Sequence, residues 1–281
     1  MIATGSKGGW EFSMRRVLLA AAILGMAVSA QAADMPDFLR GPIGVSAATV
    51  NWQGFYFGGQ AGFGTSNATL TGSTRSIVEN LLANTVLDPG GAISSLPLGG
   101  KVSAHGHGFG GFAGYNSQWT DVVLGVEFNY MHGQFGGSSM GSRTLFFTDA
   151  NGFLDTVTNQ SASSISISDM GTLRIRGGYA VGCFLPYMFG GVALGQANII
   201  NTAHVFGNQQ QQVAPFLNIP FDLTGSTGSF SHLIYGYSAG LGVDIALVAG
   251  LFMRAEWEYI RFTDQIDTSV NTVRVGLAYK F

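Results

Sequence analysis

Charge is scarce in this sequence: Asp, Glu, Lys and Arg make up 10% of its 281 residues, against roughly 25% in ordinary soluble domains. So few ions cannot coat a conventional aqueous surface, while 46% of the residues are hydrophobic and mean hydropathy is +0.27. Cysteine occurs once, at Cys183, which excludes an intrachain disulfide and a cysteine-based metal cluster. Cys183 reads as a packed or turn thiol. Positive charge is also in deficit. Without residues 1–32 the chain keeps 10 basic and 15 acidic residues, a net charge of −5, so nucleic-acid binding has no electrostatic support. Beyond the N-terminal region no apolar run approaches the roughly 20 residues that a membrane-spanning helix needs.

Glycine, in contrast, is abundant, with 42 residues scattered through the apolar segments. It weakens helix interiors but fits crowded or bending strands. Alternation of side chains then decides for β structure. Val273, Val275, Leu277, Tyr279 and Phe281 share one face, and Thr272, Arg274, Gly276, Ala278 and Lys280 the other; a helix would scatter Arg274 and Lys280 among the apolar residues. The same period of two sets Leu124, Val126, Phe128 and Tyr130 against Gly125, Glu127 and Asn129. Leu173, Ile175 and Tyr179 likewise oppose Thr172, Arg174 and Arg176. Tyr235, Tyr237, Leu241, Val243 and Ile245 oppose a face carrying glycines and Asp244, and Met253, Ala255, Trp257 and Tyr259 oppose Arg254, Glu256 and Glu258. Glycine-richer segments near 55–67, 105–118 and 185–198 share a refrain, GGQAGFG from Gly58, GGFAGYN from Gly110, GGYAVG from Gly177 and GGVALG from Gly190, which suits a meander of similar hairpins.

Alternating segments of about ten residues, apolar on one side and small or polar on the other, are the pattern of a membrane β-barrel. The expected fold is all-β: a transmembrane antiparallel up-and-down β-barrel of eight strands, with ten as the alternative count. Long polar stretches near 69–103, 135–163 and 199–231, and a shorter one near 263–270, alternate with tight breaks at 119–121, 181–184 and 246–250, as external loops alternate with periplasmic turns. This topology collects Phe55, Phe57, Tyr115, Trp119, Tyr179, Tyr187, Tyr279 and Phe281 at the periplasmic end. It places Phe63, Phe109, Tyr130, Tyr235, Tyr237, Trp257 and Tyr259 toward the external end, giving the two aromatic girdles of a bilayer-embedded barrel.

Residues 1–32 read as an export signal: Arg15 and Arg16, an apolar run from Val17 to Val28, and the small-x-small cleavage site Ala30-Gln31-Ala32. Met14 fits the start of this signal, with residues 1–13 as an upstream extension. Residues 33–51, with Pro36 and Pro42, read as a periplasmic linker, and 52–281 as the barrel.

The facing predicts that the lumen receives Glu127, Asp244, Glu256 and Glu258 together with Arg174, Arg176, Arg254 and Arg274, four charges of each sign, and Lys280 near the rim. The interior of an eight-stranded barrel is about filled by its side chains, so these charges are expected to pair across a plugged core. A turn centred near Ala249 sets Asp244 opposite Arg254. Other patterns carry less. His105, His107 and His132 lack the carboxylate or cysteine partners that would complete a metal site, and no metal or cofactor is expected. Glu256 and Glu258 resemble an acid–base pair, but their arginine neighbours favour structural pairing. The glycine refrains lack the helix and lysine of a phosphate loop, Gln209–Gln212 reads as a solvated spacer, and no Ser/His/acid arrangement follows from spacing.

NWQGFYFGGQAGFG from Asn51, GGFAGYNSQW ending at Trp119, GVEFNY from Gly125, LRIRGGYA from Leu173, LPYMFGGVALG from Leu185, RAEWEYIRF from Arg254 and the terminal VRVGLAYKF recur in an order that resembles the outer-membrane immunogenic proteins of alphaproteobacteria, relatives of the opacity porins. The AADMP that starts at Ala32 fits as well. The resemblance implies an eight-stranded barrel in the outer membrane, without catalysis, that contributes to envelope integrity and faces host or environment. A narrow porin for small solutes is the alternative. The implied partners are outer-membrane lipid and lipopolysaccharide, ligands on host or environmental surfaces, and the barrel-assembly machinery, for which Val273, Val275, Leu277, Tyr279 and Phe281 would form the recognised signal. No wall-binding domain is expected after Phe281.

Overall fold

The computed structural model describes residues 50–263 and 267–281. The export signal with Ala30 and Ala32, and nearly all of the linker, lie outside the described residues. Eight antiparallel strands form a closed barrel in sequence order: β1 (Gly54–Thr69), β2 (Lys101–Trp119), β3 (Val122–Thr148), β4 (Phe153–Tyr179), β5 (Phe184–Gln211), β6 (Asn218–Val248), β7 (Leu251–Phe262) and β8 (Thr268–Lys280). β8 closes the ring by pairing with β1, from Tyr56↔Lys280 to Ala68↔Thr268. Eight is therefore the strand count. No helix among the described residues is long and apolar enough to cross a membrane.

The wall is apolar outside. Leu124, Val126, Phe128, Val192, Leu194, Val273, Val275 and Leu277 are all exposed around the middle of the ring, whereas their chain neighbours Glu127, Asn129, Ala193 and Arg274 are buried. A continuous apolar belt around a closed barrel is the surface that lipid covers. Three tight turns close one end of the ring. Thr120, Gly182, Ala249 and Gly250 supply the positive φ angles of these turns, and Cys183 lies in the one between β4 and β5.

At the other end the structure differs from the sequence reading. The stretches 135–163 and 199–231 are not loops. They are continuations of β3, β4, β5 and β6, which run for 27, 27, 28 and 31 residues, leaving turns only at 149–152 and 212–217. Because about ten residues of a tilted strand cross the bilayer, these four strands stand roughly 15 residues beyond it, about 50 Å of extended chain. Their alternation is carried by Ser, Thr, Asn and Gln on one side, as in Asn159-Gln160-Ser161-Ala162-Ser163, and such residues carry little apolar contrast. Register shifts between His132 and Phe135, Ile167 and Asp169, and Ala197 and Ile199 mark the level where the barrel becomes a free-standing wall, since bulges bend strands at rims.

The stretch 69–103 does contain irregular chain, but folds back inward. Helix α1 (Arg75–Leu82) buries Ile77, Val78 and Leu82 with Leu87, Ile93, Val157, Ala203 and Val205 on the inner side of that wall. Whole-cell proteolysis is expected to cut at 149–152 and 212–217 while sparing most of 135–148 and 153–163. Equal cleavage throughout 135–163 would contradict the strand extensions.

A second correction concerns Tyr187. It does not join an aromatic girdle but points into the lumen, 5% exposed, because β5 pairs Tyr187 with Gly242, and Gly242 leaves the inward space that the ring occupies. Phe55, Phe57, Trp119, Tyr179 and Phe281 are exposed on the outside at the turn end, and Phe63, Phe109, Tyr130, Tyr235, Tyr237 and Trp257 toward the other.

Candidate functional site

Side chains line the lumen in layers. At the turn end, Trp52, Tyr56, Phe112, Tyr187, Phe189 and Phe252 form an aromatic floor. The segment before β1 supplies Trp52, 1% exposed, whose backbone N–H donates to Gln118 Oε1 at 2.6 Å and whose ring meets Phe252 edge-on. At the opposite end Met131, Phe135, Ile165, Ile167, Ile199, Ile234, Ile260 and Phe262 make an apolar layer.

Between the two lies the charged layer. Alternation along β3, β4, β6, β7 and β8 turns Glu127, Arg174, Arg176, Asp244, Arg254, Glu256, Glu258 and Arg274 inward, and all eight are at most 3% exposed. Glu127 is the centre. Its Oε1 accepts from Arg174 Nε at 2.9 Å, and its Oε2 accepts from Arg254 Nη1 at 2.7 Å and from Tyr56 Oη at 2.7 Å, with Arg176 Nη1 at 3.4 Å. β6 and β7 set Asp244 opposite Arg254. Asp244 Oδ1 lies 2.8 Å from Arg254 Nε, and Oδ2 lies 2.6 Å from Arg176 Nη2. Arg174 Nη2 reaches Glu256 Oε1 at 2.6 Å, Tyr187 Oη donates to the same oxygen at 2.8 Å, and Arg274 pairs with Glu258. Isolated charges could not be held at such burial, and the lattice of opposite charges offsets their desolvation.

Several lining residues were not singled out from the sequence. Asn129 accepts from Gln60 Nε2 at 2.8 Å and from Arg274 Nη1 at 3.0 Å, joining the charged and apolar layers. The Arg174, Arg176 and Arg254 guanidiniums stack 4.0, 3.7 and 4.0 Å from the ring centres of Phe189, Tyr187 and Phe112, which shields them further. Tyr56 was accessible to alternation, since its neighbours Phe55 and Phe57 face outward. Tyr187 required the β5–β6 register.

Glycine makes room for this layer. Across one neighbouring strand Glu127 faces Gly114, Arg174 faces Gly191, Arg176 faces Gly125, Arg254 faces Gly276, Glu256 faces Gly242, Glu258 faces Gly240 and Arg274 faces Gly62. A methyl group at Gly62 would fall 2.9 Å from Arg274 Cγ, and one at Gly242 2.8 Å from Glu256 Cγ. In each glycine refrain one residue of the pair is crowded on the inward side, with Gly191 facing Arg174, while its partner faces outward with more space.

The remaining candidates do not converge. His105 Nδ1 lies 3.4 Å from Thr65 Oγ1, and His132 Nδ1 lies 2.8 Å from Asp169 Oδ1, where Tyr130 Oη also donates at 2.6 Å. Among the described residues no group of three or more His, Cys, Asp and Glu side chains is placed to hold a metal ion. In β8, Val273, Val275, Leu277 and Tyr279 face outward, and Phe281 stacks 5.5 Å from Phe57 while its N–H donates to the Phe55 carbonyl.

A closed ring of strands with an apolar exterior and a charged interior defines the class: a transmembrane β-barrel. The family model for the outer membrane protein beta-barrel domain matches residues 18–281, and the chain belongs to that family. It is 24% identical over 172 residues to the 25 kDa outer-membrane immunogenic protein of Brucella ovis, a match covering 61% of this chain and 62% of that protein. Among solved structures, Ail, the attachment invasion locus protein of Yersinia pestis, aligns with 82% of this chain and 99% of its own length at 11% identity and a TM-score of 0.35. Neisserial surface protein A aligns with 81% and 97% at 15% identity and a TM-score of 0.34. The chain is located in the outer membrane, in contact with its lipids. Outer-membrane barrels as a class carry short turns on the periplasmic side and longer connections outside, and the tight turns here and the tall β3–β6 wall follow that division of short and long ends.

Proposed function

We propose that this outer-membrane protein is a non-enzymatic barrel that contributes to envelope integrity and surface contact, with its lumen held shut by the charged layer. The carrying observation is the balance of that layer: four carboxylates and four guanidiniums, all buried, with Glu127 bridging Arg174, Arg176 and Arg254, and Glu258 pairing with Arg274. The aromatic floor below and the apolar layer above support a closed lumen, because dehydrating an ion to pass such layers is costly. Surface contact would fall to the projecting wall and its turns, which rigid strands hold clear of the membrane. Lipopolysaccharide and host or environmental surfaces are the partners this placement suits.

Two steps of biogenesis belong to the same reading. Cleavage after Ala32 would release the export signal, and the outward row Val273, Val275, Leu277, Tyr279 and Phe281 on the last strand would be read by the barrel-assembly machinery through edge pairing. Planar-bilayer recordings of the refolded protein test the central claim. Baseline current without discrete openings is expected, and stable, reproducible channels would establish the narrow-porin alternative in its place.

A further inference from the structure

We propose that the outer tip of the β3–β4 hairpin, against β5, is a binding site for a divalent cation of the calcium class, formed by Asp155, Asp149 and Gln211, with Gln209 beside them. Asp155 has 0% exposure, and neither carboxylate oxygen accepts a hydrogen bond of regular geometry, with the Gln209 amide beside them. Across the strand pair Asp155 faces Gln209, and two residues further along Phe153 faces Gln211, whose buried Oε1 is also without a partner. Asp149 closes the group from the turn. Its Oδ1 accepts the backbone N–H groups of Asn151 at 2.9 Å and Phe153 at 2.8 Å, and its Oδ2 lies 3.4 Å from Gln209 Nε2. A half-turn of the Gln209 amide would present oxygen in place of nitrogen.

Among the described residues neither carboxylate has an ion-pair partner. The Asp155 carboxyl is pushed up from its ordinary range by burial, opposed by the Gln209 amide and reinforced by the Asp149 charge, as expected of two anions gathered without a counter-charge. Buried carboxylates are otherwise paired or ligate a metal. All the donors are oxygens, with no imidazole or thiolate, and a mixture of carboxylate and amide oxygens on adaptable side chains suits calcium better than the stricter octahedron of magnesium. The site lies at the tip of the β3–β4 hairpin, far along the strands from the membrane-spanning part.

Isothermal titration of EDTA-treated, refolded full-length protein in detergent with CaCl2 tests this. One calcium per chain is expected, in the range of about 10⁻⁴–10⁻³ M usual for extracellular modules, with weaker binding of MgCl2. Asp155→Asn should weaken calcium binding at least about tenfold, the loss of a charged ligand from a small set, while keeping the unheated electrophoretic mobility of the folded barrel. Gln211→Glu, which adds a carboxylate, should tighten it. Absence of binding at millimolar calcium, or binding that either substitution leaves unchanged, would overturn the site.

Discussion

Arg254→Ala is expected to destabilise the folded barrel by roughly 3–5 kcal/mol, the cost of removing one partner from buried charge pairs. The side chain gives Asp244 two hydrogen bonds, at 2.8 and 3.1 Å, gives Glu127 one at 2.7 Å, and stacks on Phe112. Truncation would leave Asp244 with Arg176 alone and open a void at the centre of the lumen. Arg75→Ala is the control. Arg75 pairs with Glu79 one helical turn away, with 62% and 46% of their side chains exposed, and such pairs contribute about 0.3–0.5 kcal/mol. Heat-dependent loss of the fast-migrating folded band, followed against temperature, measures both. Equal midpoints for the two variants would refute the energetic role of the charged layer. A Glu127→Ala, Arg254→Ala cycle should show coupling of about 0.5–3 kcal/mol, because the two groups touch.

The second large effect separates two adjacent glycines. At Gly191 an added side chain would run into the Leu173 carbonyl and lie 2.8 Å from Arg174 Cβ, whereas at Gly190 the nearest atom, the Ser238 carbonyl oxygen, is 3.7 Å away. Backbone atoms of a paired strand cannot yield as a side-chain tip can. Gly191→Val should therefore cost at least the roughly 1–3 kcal/mol of an overpacked core, with most of the protein failing to reach the folded mobility. Gly190→Val points outward and should stay within about 0.5 kcal/mol of the parent, as surface substitutions do. A reversal of these two outcomes would show that the facing assigned to this refrain is wrong.

The barrel was legible because its exterior and interior differ sharply in chemistry. Val273 to Phe281 alternate with Thr272 to Lys280, and no other local structure separates those two sets. The wall beyond the membrane was not legible for the converse reason. In Ser161 to Ser166 both faces of β4 carry small residues apart from Ile165, so hydropathy reads polar loop, and it is pairing with β3 and β5 that makes it strand. The inward turn of residues 75–82 was hidden too, since eight residues with three buried apolar side chains do not announce which wall they will meet. The cation-site candidate spans the turn at Asp149 and two strands that approach only after β4 and β5 pair, and Gln209 and Gln211 read from sequence as spacer.

The chain's composition and two-residue rhythm alone determined the fold class and which eight charged residues share the inward face, because a strand's facing is a local property of successive side chains. Tertiary structure decided which charge meets which, that Glu127 serves three arginines, and why the sequence needs its glycines where it does. Those facts depend on strand register and on closure of β8 onto β1, and register brings together residues far apart in sequence through differences in packing that no short window contains.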